Sequence, residues 1–400
     1  MKVRKITVLA TIILWAFSCK KKDLIAPTGI SINPSSLMSY VGAKDTLKAV
    51  LSPANASSGI TWSSGNPAIA SVDRSGVVTC VATGTTTITA KTGNDLTASC
   101  TITITKWATY PYNLYEPSGM AIDGTGNKWI TTFGEGVWQF DGTNWTNYKS
   151  ANSGLAFDNV WGMAIDAQGN KWFVTEGEGI SKFDGANWTT YNSENSDLAS
   201  NYVITMAIDA QGNKWFSTIA GVSQFDGVHW TNYTATSGGL VDSAGIYSIA
   251  IDAQGNKWFG TDEAGVSEFD GTHWTNYNTS NSGLVSNDIS FGAIAIDAQG
   301  NKWFGTNEGV SEFNGTGWTT YNTSNSGLAG NSVSPVVIDA QGNKWFGNGN
   351  GVSEFDGTHW TTYNMSNSRL ASNIVNILAV DAQGNVWFCT QYGLSELYAE

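Results

Sequence analysis

One phrase recurs seven times between residues 106 and 400, and it constrains the fold more than any other feature. In its most regular form it reads Ile-Asp-Ala-Gln-Gly-Asn-Lys-Trp-Phe-Gly-Thr, then a Gly-rich turn, then Gly-Val-Ser-Glu-Phe-Asp-Gly-Thr-His-Trp-Thr-Thr-Tyr. The central tryptophans are Trp129, Trp172, Trp215, Trp258, Trp303, Trp345 and Trp387, spaced by 43, 43, 43, 45, 42 and 42 residues. A steady period near 40 with short Gly-punctuated strands is the mark of a radial β-repeat, one four-stranded blade per copy. Strand a ends on the Ile-Asp pair, and the Ala-Gln-Gly-Asn turn uses its glycine for the positive φ of a tight hairpin. Strand b is Lys-Trp-Phe-Gly-Thr, strand c is Gly-Val-Ser-Glu-Phe, and Asp-Gly opens the turn into strand d, Trp-Thr-Thr-Tyr.

The strand d motif recurs only six times after a strand c, at Trp145, Trp188, Trp230, Trp274, Trp318 and Trp360. The last copy ends at Glu396-Leu397-Tyr398 without one, and an unmatched strand d, Trp107-Ala-Thr-Tyr110, precedes the first copy. A ring accounts for both facts. The early strand completes the last sheet and leaves no open edge. The expected fold is all-β: a seven-bladed β-propeller over residues 106–400, closed by its N-terminal strand. Large flat side chains suit the wedge between blades, so the paired tryptophans are read as core.

Before the repeats the texture changes. From Pro27 to Thr105 aromatic residues thin out and alternating segments appear at Ile30–Ile32, Thr46–Val50, Ile60–Trp62, Val77–Thr79, Thr86–Ala90 and Ala98–Thr105. About six strands with one tryptophan, Trp62, describe a small β-sandwich. Cys80 and Cys100 fall in adjacent strands of it and are a possible disulfide. Cys389 stands where other copies carry a small residue, and reads as core.

The first residues are read as a targeting segment. A basic start, Met1 to Lys5, leads into a 12-residue apolar stretch, Ile6 to Phe17, too short to span a bilayer. Ser18-Cys19 followed by Lys-Lys-Lys-Asp resembles the processing site of surface-displayed bacterial lipoproteins. That resemblance implies a signal peptide at 1–18, lipidation of Cys19, a tether at 19–26, and an outer-membrane anchor at the cell surface of a Gram-negative bacterium. Membrane contact is expected through that lipid alone. A formal charge of −13 speaks against nucleic acid as a partner.

Two further resemblances rest on longer motifs. Trp62-Ser-Ser-Gly-Asn-Pro-Ala-Ile-Ala-Ser-Val-Asp, Gly76-Val-Val-Thr and Ala82-Thr-Gly-Thr-Thr-Thr-Ile-Thr-Ala resemble the group 2 bacterial immunoglobulin-like domain, which implies a stalk or adhesive unit over residues 27–105. Asn-Ser-Gly-Leu-x-Ser-Asn with Ile-x-x-Asp-x-x-Gly-Asn-x-Trp-Phe-Gly-Thr resembles the two-component regulator propeller repeat, which usually forms a periplasmic ligand sensor. This chain is expected to depart from that plan, with no kinase or receiver segment after the propeller. The blades also resemble streptogramin lyase.

The internal copies supply a control for chemistry, since a functional residue should break the repeat. His229, His273 and His359 do not. They share one turn position with Asn144, Asn187 and Gly317, which argues against a metal or general-base role. The seven aspartates closing strand a, Asp123 to Asp381, lack a second carboxylate and read as turn-formers rather than a calcium ring. No cofactor, metal or catalytic residue is expected.

Asymmetry gathers on the face carrying the d-to-a crossings and b-to-c turns. The crossings differ at Ser118, Trp161, Tyr202 with Ile204, Tyr247, Phe291, Ser334 and Asn376, and the turns add Glu178, Glu263, Glu308 and Tyr392. Exposed aromatics beside acids suit stacking on a sugar face and bonding its hydroxyls. Trp161, Tyr202, Tyr247, Phe291, Glu178, Glu263, Glu308 and Tyr392 are therefore the candidate ligand-binding set of a monomeric, non-catalytic surface protein that recognises a glycan or a protein. Two alternatives are a purely structural or adhesive protein, with aromatics plugging the channel, and a lyase-like enzyme.

Overall fold

The computed structural model describes residues 25–399 except 235–238 and 241–244. Cys19, the proposed signal peptide and most of the tether lie outside the described residues. Among those residues there is no helix, and the chain divides into two compact units between Thr105 and Lys106.

The second unit is a seven-bladed β-propeller. Each of the first six blades is a meander of four antiparallel strands, for example Val160–Ile165, Lys171–Thr175, Ile180–Phe183 and Trp188–Tyr191 in blade 2. The innermost strands neighbour one another around the axis, and Pro117–Ile122 of blade 1 meets Ile377–Val380 of blade 7. Blade 7 takes its outer strand from the start of the unit. Trp107–Pro111 pairs antiparallel with Gly393–Leu397, with Trp107 opposite Leu397 and Pro111 opposite Gly393. The Tyr398 amide donates to the Lys106 carbonyl at 2.9 Å, extending the ladder by one bond.

Strand b holds the blades together. Its period of two sends tryptophan to one sheet face and phenylalanine to the other, so each tryptophan meets the phenylalanine of the next blade. Trp172 packs on Phe216 at 6.3 Å between ring centroids, Trp258 on Phe304 at 6.0 Å and Trp345 on Phe388 at 5.8 Å. At the closing interface Trp387 packs against Ile130 and Phe140 of blade 1. Each fully buried indole removes on the order of 150–250 Å² from water, a favourable transfer of about 4–6 kcal/mol as an upper bound.

The strand-a aspartates behave as turn-formers. Asp252 Oδ1 accepts the amides of Gln254 and Asn256, while Oδ2 accepts Asn256 Nδ2 and, at 3.2 Å, the indole N–H of Trp258. The Lys302 ammonium of the next blade lies 3.4 Å from that Oδ2 and 4.9 Å from the Trp258 ring centre. Six interfaces place a strand-b lysine over the preceding tryptophan in this way. Blade 7 carries Val386 at that position and forgoes the contact.

The first unit is an immunoglobulin-like sandwich. It has a four-stranded sheet (Ser36–Tyr40, Thr97–Thr105, Gly84–Thr92, Ile60–Ser64), a three-stranded sheet (Lys44–Thr46, Val77–Cys80, Ala70–Val72) and a pair, Gly29–Asn33 with Lys48–Ser52. Its core holds Ile88, Ala90, Cys100 and Ile102, with Trp62 packed against it. The possible Cys80–Cys100 disulfide is not formed; both are buried free thiols. They sit on different sheets and turn to different partners, Cys80 Sγ to Asp45 Oδ2 and Cys100 Sγ to the Thr101 carbonyl, each at 3.8 Å. Burial raises both thiol pKa values and keeps the reactive thiolate scarce.

A candidate ligand-binding mouth

The residues that vary among the copies are placed by a shared distortion of strand a. In blade 2 Val160 pairs with Thr175 and Gly162 with Val174, so Trp161 between them has no partner across the sheet. Such a bulge re-aims one side chain out of the regular alternation. The same bulge frees Ser118, Ile204 and Tyr247 in blades 1, 3 and 4. Blade 5 is irregular over residues 290–293, and this longer excursion carries Phe291 across the axis. Gly292 allows the turn-back with φ of 63°, and Ser334 Oγ donates to the Phe291 carbonyl at 2.6 Å.

Trp161 and Phe291, from blades 2 and 5, meet at 6.0 Å between ring centroids. Phe133 packs edge-on to Trp161 at 4.5 Å, and Tyr202 lies at 6.4 Å on its other side. Trp161, Phe291 and Phe133 line a cavity of about 500 Å³, walled also by Glu116, Ser118, Asn348, Ile374, Asn376 and Gln391. A narrower space of about 150 Å³ continues along the axis past Phe291 to Met120, Met163 and Val337. The aromatics thus narrow the channel and at the same time leave a lined pocket above it.

Three buried side-chain nitrogens lack a hydrogen-bond partner among the described residues: Trp138 Nε1, Trp161 Nε1 and Asn348 Nδ2. Two of the three belong to residues lining this cavity. The Tyr202 hydroxyl donates at 3.0 Å to Glu176 Oε1, while its oxygen faces the Trp161 indole N–H; burial first, then Glu176, raises its pKa, and the Trp161 N–H offsets part of that rise. Asn348 is 5% exposed, and its Oδ1 is taken by the Asn350 amide at 2.8 Å, which leaves the NH₂ group unmatched. An unpaired buried donor costs roughly 1–3 kcal/mol, so Asn348 is held in blade 6 at a cost to stability.

Of the eight residues expected at a binding face, only Trp161 and Phe291 line this cavity. Tyr202 supports the floor from outside, and Tyr392 is 55% exposed on the rim beside Gln391. Glu178, Glu263 and Glu308 are exposed in their turns and do not reach the pocket. Tyr247 belongs with a separate acidic group on blades 4 and 5. Burial first, then Asp262 and Asp288, raises its pKa; Asp288 is itself raised by burial and by Asp262 and Glu263. No group of three or more His, Cys, Asp or Glu suited to a metal occurs among the described residues.

Sequence reading passed over Asn348, although the signal was present. Strand b ends in threonine in the other six blades, whose hydroxyl donates to the glycine carbonyl opening strand c, as Thr306 does to Gly309 at 2.9 Å. Asn348 is the single break in that series. The histidines are taken up locally: His229, His273 and His359 each sit about 3.2–3.3 Å from the aspartate of their own exposed turn.

Residues 26–102 match the bacterial Ig-like domain (group 2) family, in agreement with the sandwich described above. A segment of 89 residues is 43% identical to an uncharacterized protein of Clostridium acetobutylicum, covering 22% of this chain and 9% of that one. The extracellular domain of a putative hybrid two-component system from B. thetaiotaomicron superposes with a TM-score of 0.65 at 23% identity, over 78% of this chain and 44% of that one. A streptogramin B lyase superposes with a TM-score of 0.59 at 14% identity, over 72% of this chain and 96% of the lyase. At these identities the two structures share the propeller fold with this chain. The chain spans less than a tenth of the Clostridium protein and under half of the B. thetaiotaomicron extracellular domain.

Proposed function

We propose that this is a surface-displayed binding lipoprotein whose propeller mouth holds a ligand without transforming it, with the Ig-like unit as its stalk. The observation that carries the reading is the cavity of about 500 Å³ lined by Trp161 and Phe291 and set where the repeat is broken. Pockets of this size, mostly apolar with a few convergent polar groups, are what ligand sites look like. The two-component-system domain from B. thetaiotaomicron is extracellular by its own description, which agrees with display outside the cell.

The non-catalytic reading is supported by what surrounds the cavity. Acid–base chemistry needs a positioned group with a tuned pKa. Glu116 is the only carboxylate in the lining, it is exposed, and the histidines lie on turns at the opposite face. The test is equilibrium binding of the full chain to arrayed oligosaccharides and peptides, repeated with Trp161→Ala and Phe291→Ala. Loss of a bound ligand in both variants supports the mouth as the site. Binding that ignores both substitutions removes this face from consideration.

A further inference from the structure

Resting on the mouth as the binding site, we propose that it takes a positively charged organic ligand, an ammonium or guanidinium group on an apolar body. Among the described residues lining the cavity none is lysine, arginine or histidine, and Glu116 is the one carboxylate. An anion would enter with no counter-charge to replace its hydration. The Phe133 amide donates to the Glu116 carbonyl at 3.1 Å, which sets that acid beside the ring that packs edge-on to Trp161 at 4.5 Å. Phe133, Trp161 and Phe291 are each partly exposed, so ring surface remains open to the cavity. The negative face of an aromatic ring attracts a cation, and a carboxylate nearby adds to that attraction. A neutral ligand gains from the rings but leaves the Glu116 charge unused.

The surface around the cavity has the same sign. The b-to-c turns and the d-to-a crossings lie together there: the Gly134 and Gly136 amides bond the Asp158 carbonyl, and those of Gly177 and Gly179 bond Asn201. Across these segments acids outnumber bases, which are Lys149 and Arg369 alone. Lys149 is already paired with Glu135 at 2.6 Å. Asp262 and Glu263 stand close enough to Asp288 to raise its pKa, after burial has done so first. A concave site rimmed by one sign of charge focuses its field and draws in the opposite sign, an effect that salt screens. The rim acids, Glu178, Glu263 and Glu308 among them, thus act at a distance on entry, while Glu116 and the rings hold the ligand.

Two pairs of probes differ by an acetyl group that removes the charge. One pair is a glucosamine oligomer and its N-acetylated counterpart at mildly acidic pH; the other is a lysine-containing apolar peptide and its lysine-acetylated form. Each is titrated by calorimetry into the full chain, at low and at physiological salt, and into Glu116→Gln and Trp161→Ala. Thermal melting confirms that both variants fold; Glu116 is exposed, and glutamine keeps its shape. The charged member of at least one pair should bind about ten-fold or more tightly than its acetylated partner, and less tightly as salt rises. Glu116→Gln should weaken it about three- to ten-fold and leave the neutral partner unchanged, and the pair that responds tells an amino sugar from a peptide amine. Neutral members that bind as tightly as the charged ones, and are weakened by Trp161→Ala, overturn the charge requirement and leave the mouth as the site. Charged probes indifferent to Glu116→Gln overturn it as well, as does the failure of both charged probes to bind. Indifference to Trp161→Ala and Phe291→Ala would remove the mouth itself.

Discussion

Replacing Trp107 by alanine tests the closure on which the whole ring depends. Trp107 is 7% exposed and sits in the strand that reaches across from the start of the propeller to its last blade. Its ring packs at 5.0 Å from Phe388 and 5.3 Å from Tyr363, within a cluster that includes Trp345, Leu370 and Val386. Burying an indole is favourable by about 4–6 kcal/mol at most, and truncating one in a packed core costs about 3–5 kcal/mol. Most of that loss should appear in full, because the substitution also loosens the only sheet that joins the two ends of the array. Of the 18 tryptophans only Trp15 and Trp62 fall outside residues 106–400, so fluorescence reports on the propeller almost alone. Urea unfolding followed by that signal should show a fall of about 3–5 kcal/mol with the Ig-like unit unaffected. A loss below about 1 kcal/mol would refute the closing role of this strand.

Three more outcomes follow from the repeated contacts. Asp252→Ala strands a buried indole N–H, Asn256 and the Lys302 ammonium together, and should cost about 3–5 kcal/mol in urea unfolding, where a loss under about 1 kcal/mol would contradict the network. Burial pushes the Asp123 carboxyl up, but hydrogen bonds from Thr125, Trp129 and Asn127 outweigh it and hold its pKa at about 2. Its contribution to stability is therefore complete above the unfolded value near 4 and is lost as pH falls through about 2; NMR titration should place the midpoint there, and Asp123→Asn should flatten that part of the pH–stability profile. Val386→Lys supplies the ammonium that the interface between blades 6 and 7 forgoes and should stabilise the propeller by about 0.5–1 kcal/mol in the same unfolding assay, with no gain or a loss counting against the lysine-over-indole contact.

The two parts of the chain were legible to different degrees. The blades could be read strand by strand because each copy repeats the same alternation, so a boundary uncertain in one copy is settled by six others. The sandwich has no such redundancy. Its strands Ser36–Tyr40 and Ala70–Val72 went unread, the first because it follows Pro34 and Ser35, the second because three residues carry too little pattern. The disulfide reading failed for a related reason, since adjacency in a strand list says nothing about which sheet each thiol enters.

At the mouth, position was legible and membership was not. The variable crossings pointed to the face that carries the cavity, yet the cavity takes Trp161 from blade 2, Phe291 from blade 5, Asn348 from blade 6 and Asn376 from blade 7, and passes over Tyr247 in blade 4. Exposed acids in the turns looked equivalent in the chain, but none of Glu178, Glu263 and Glu308 turns inward.

Periodicity is a local property, so the amino-acid order alone was enough to specify seven blades, their alternation of tryptophan and phenylalanine, and a ring closed by residues 107–110. Which side chains share a pocket depends on how far each bulge carries its residue towards the axis. So does the question of which buried donors go unmatched. Those are sums over distant parts of a closed ring, and only the folded ring decides them.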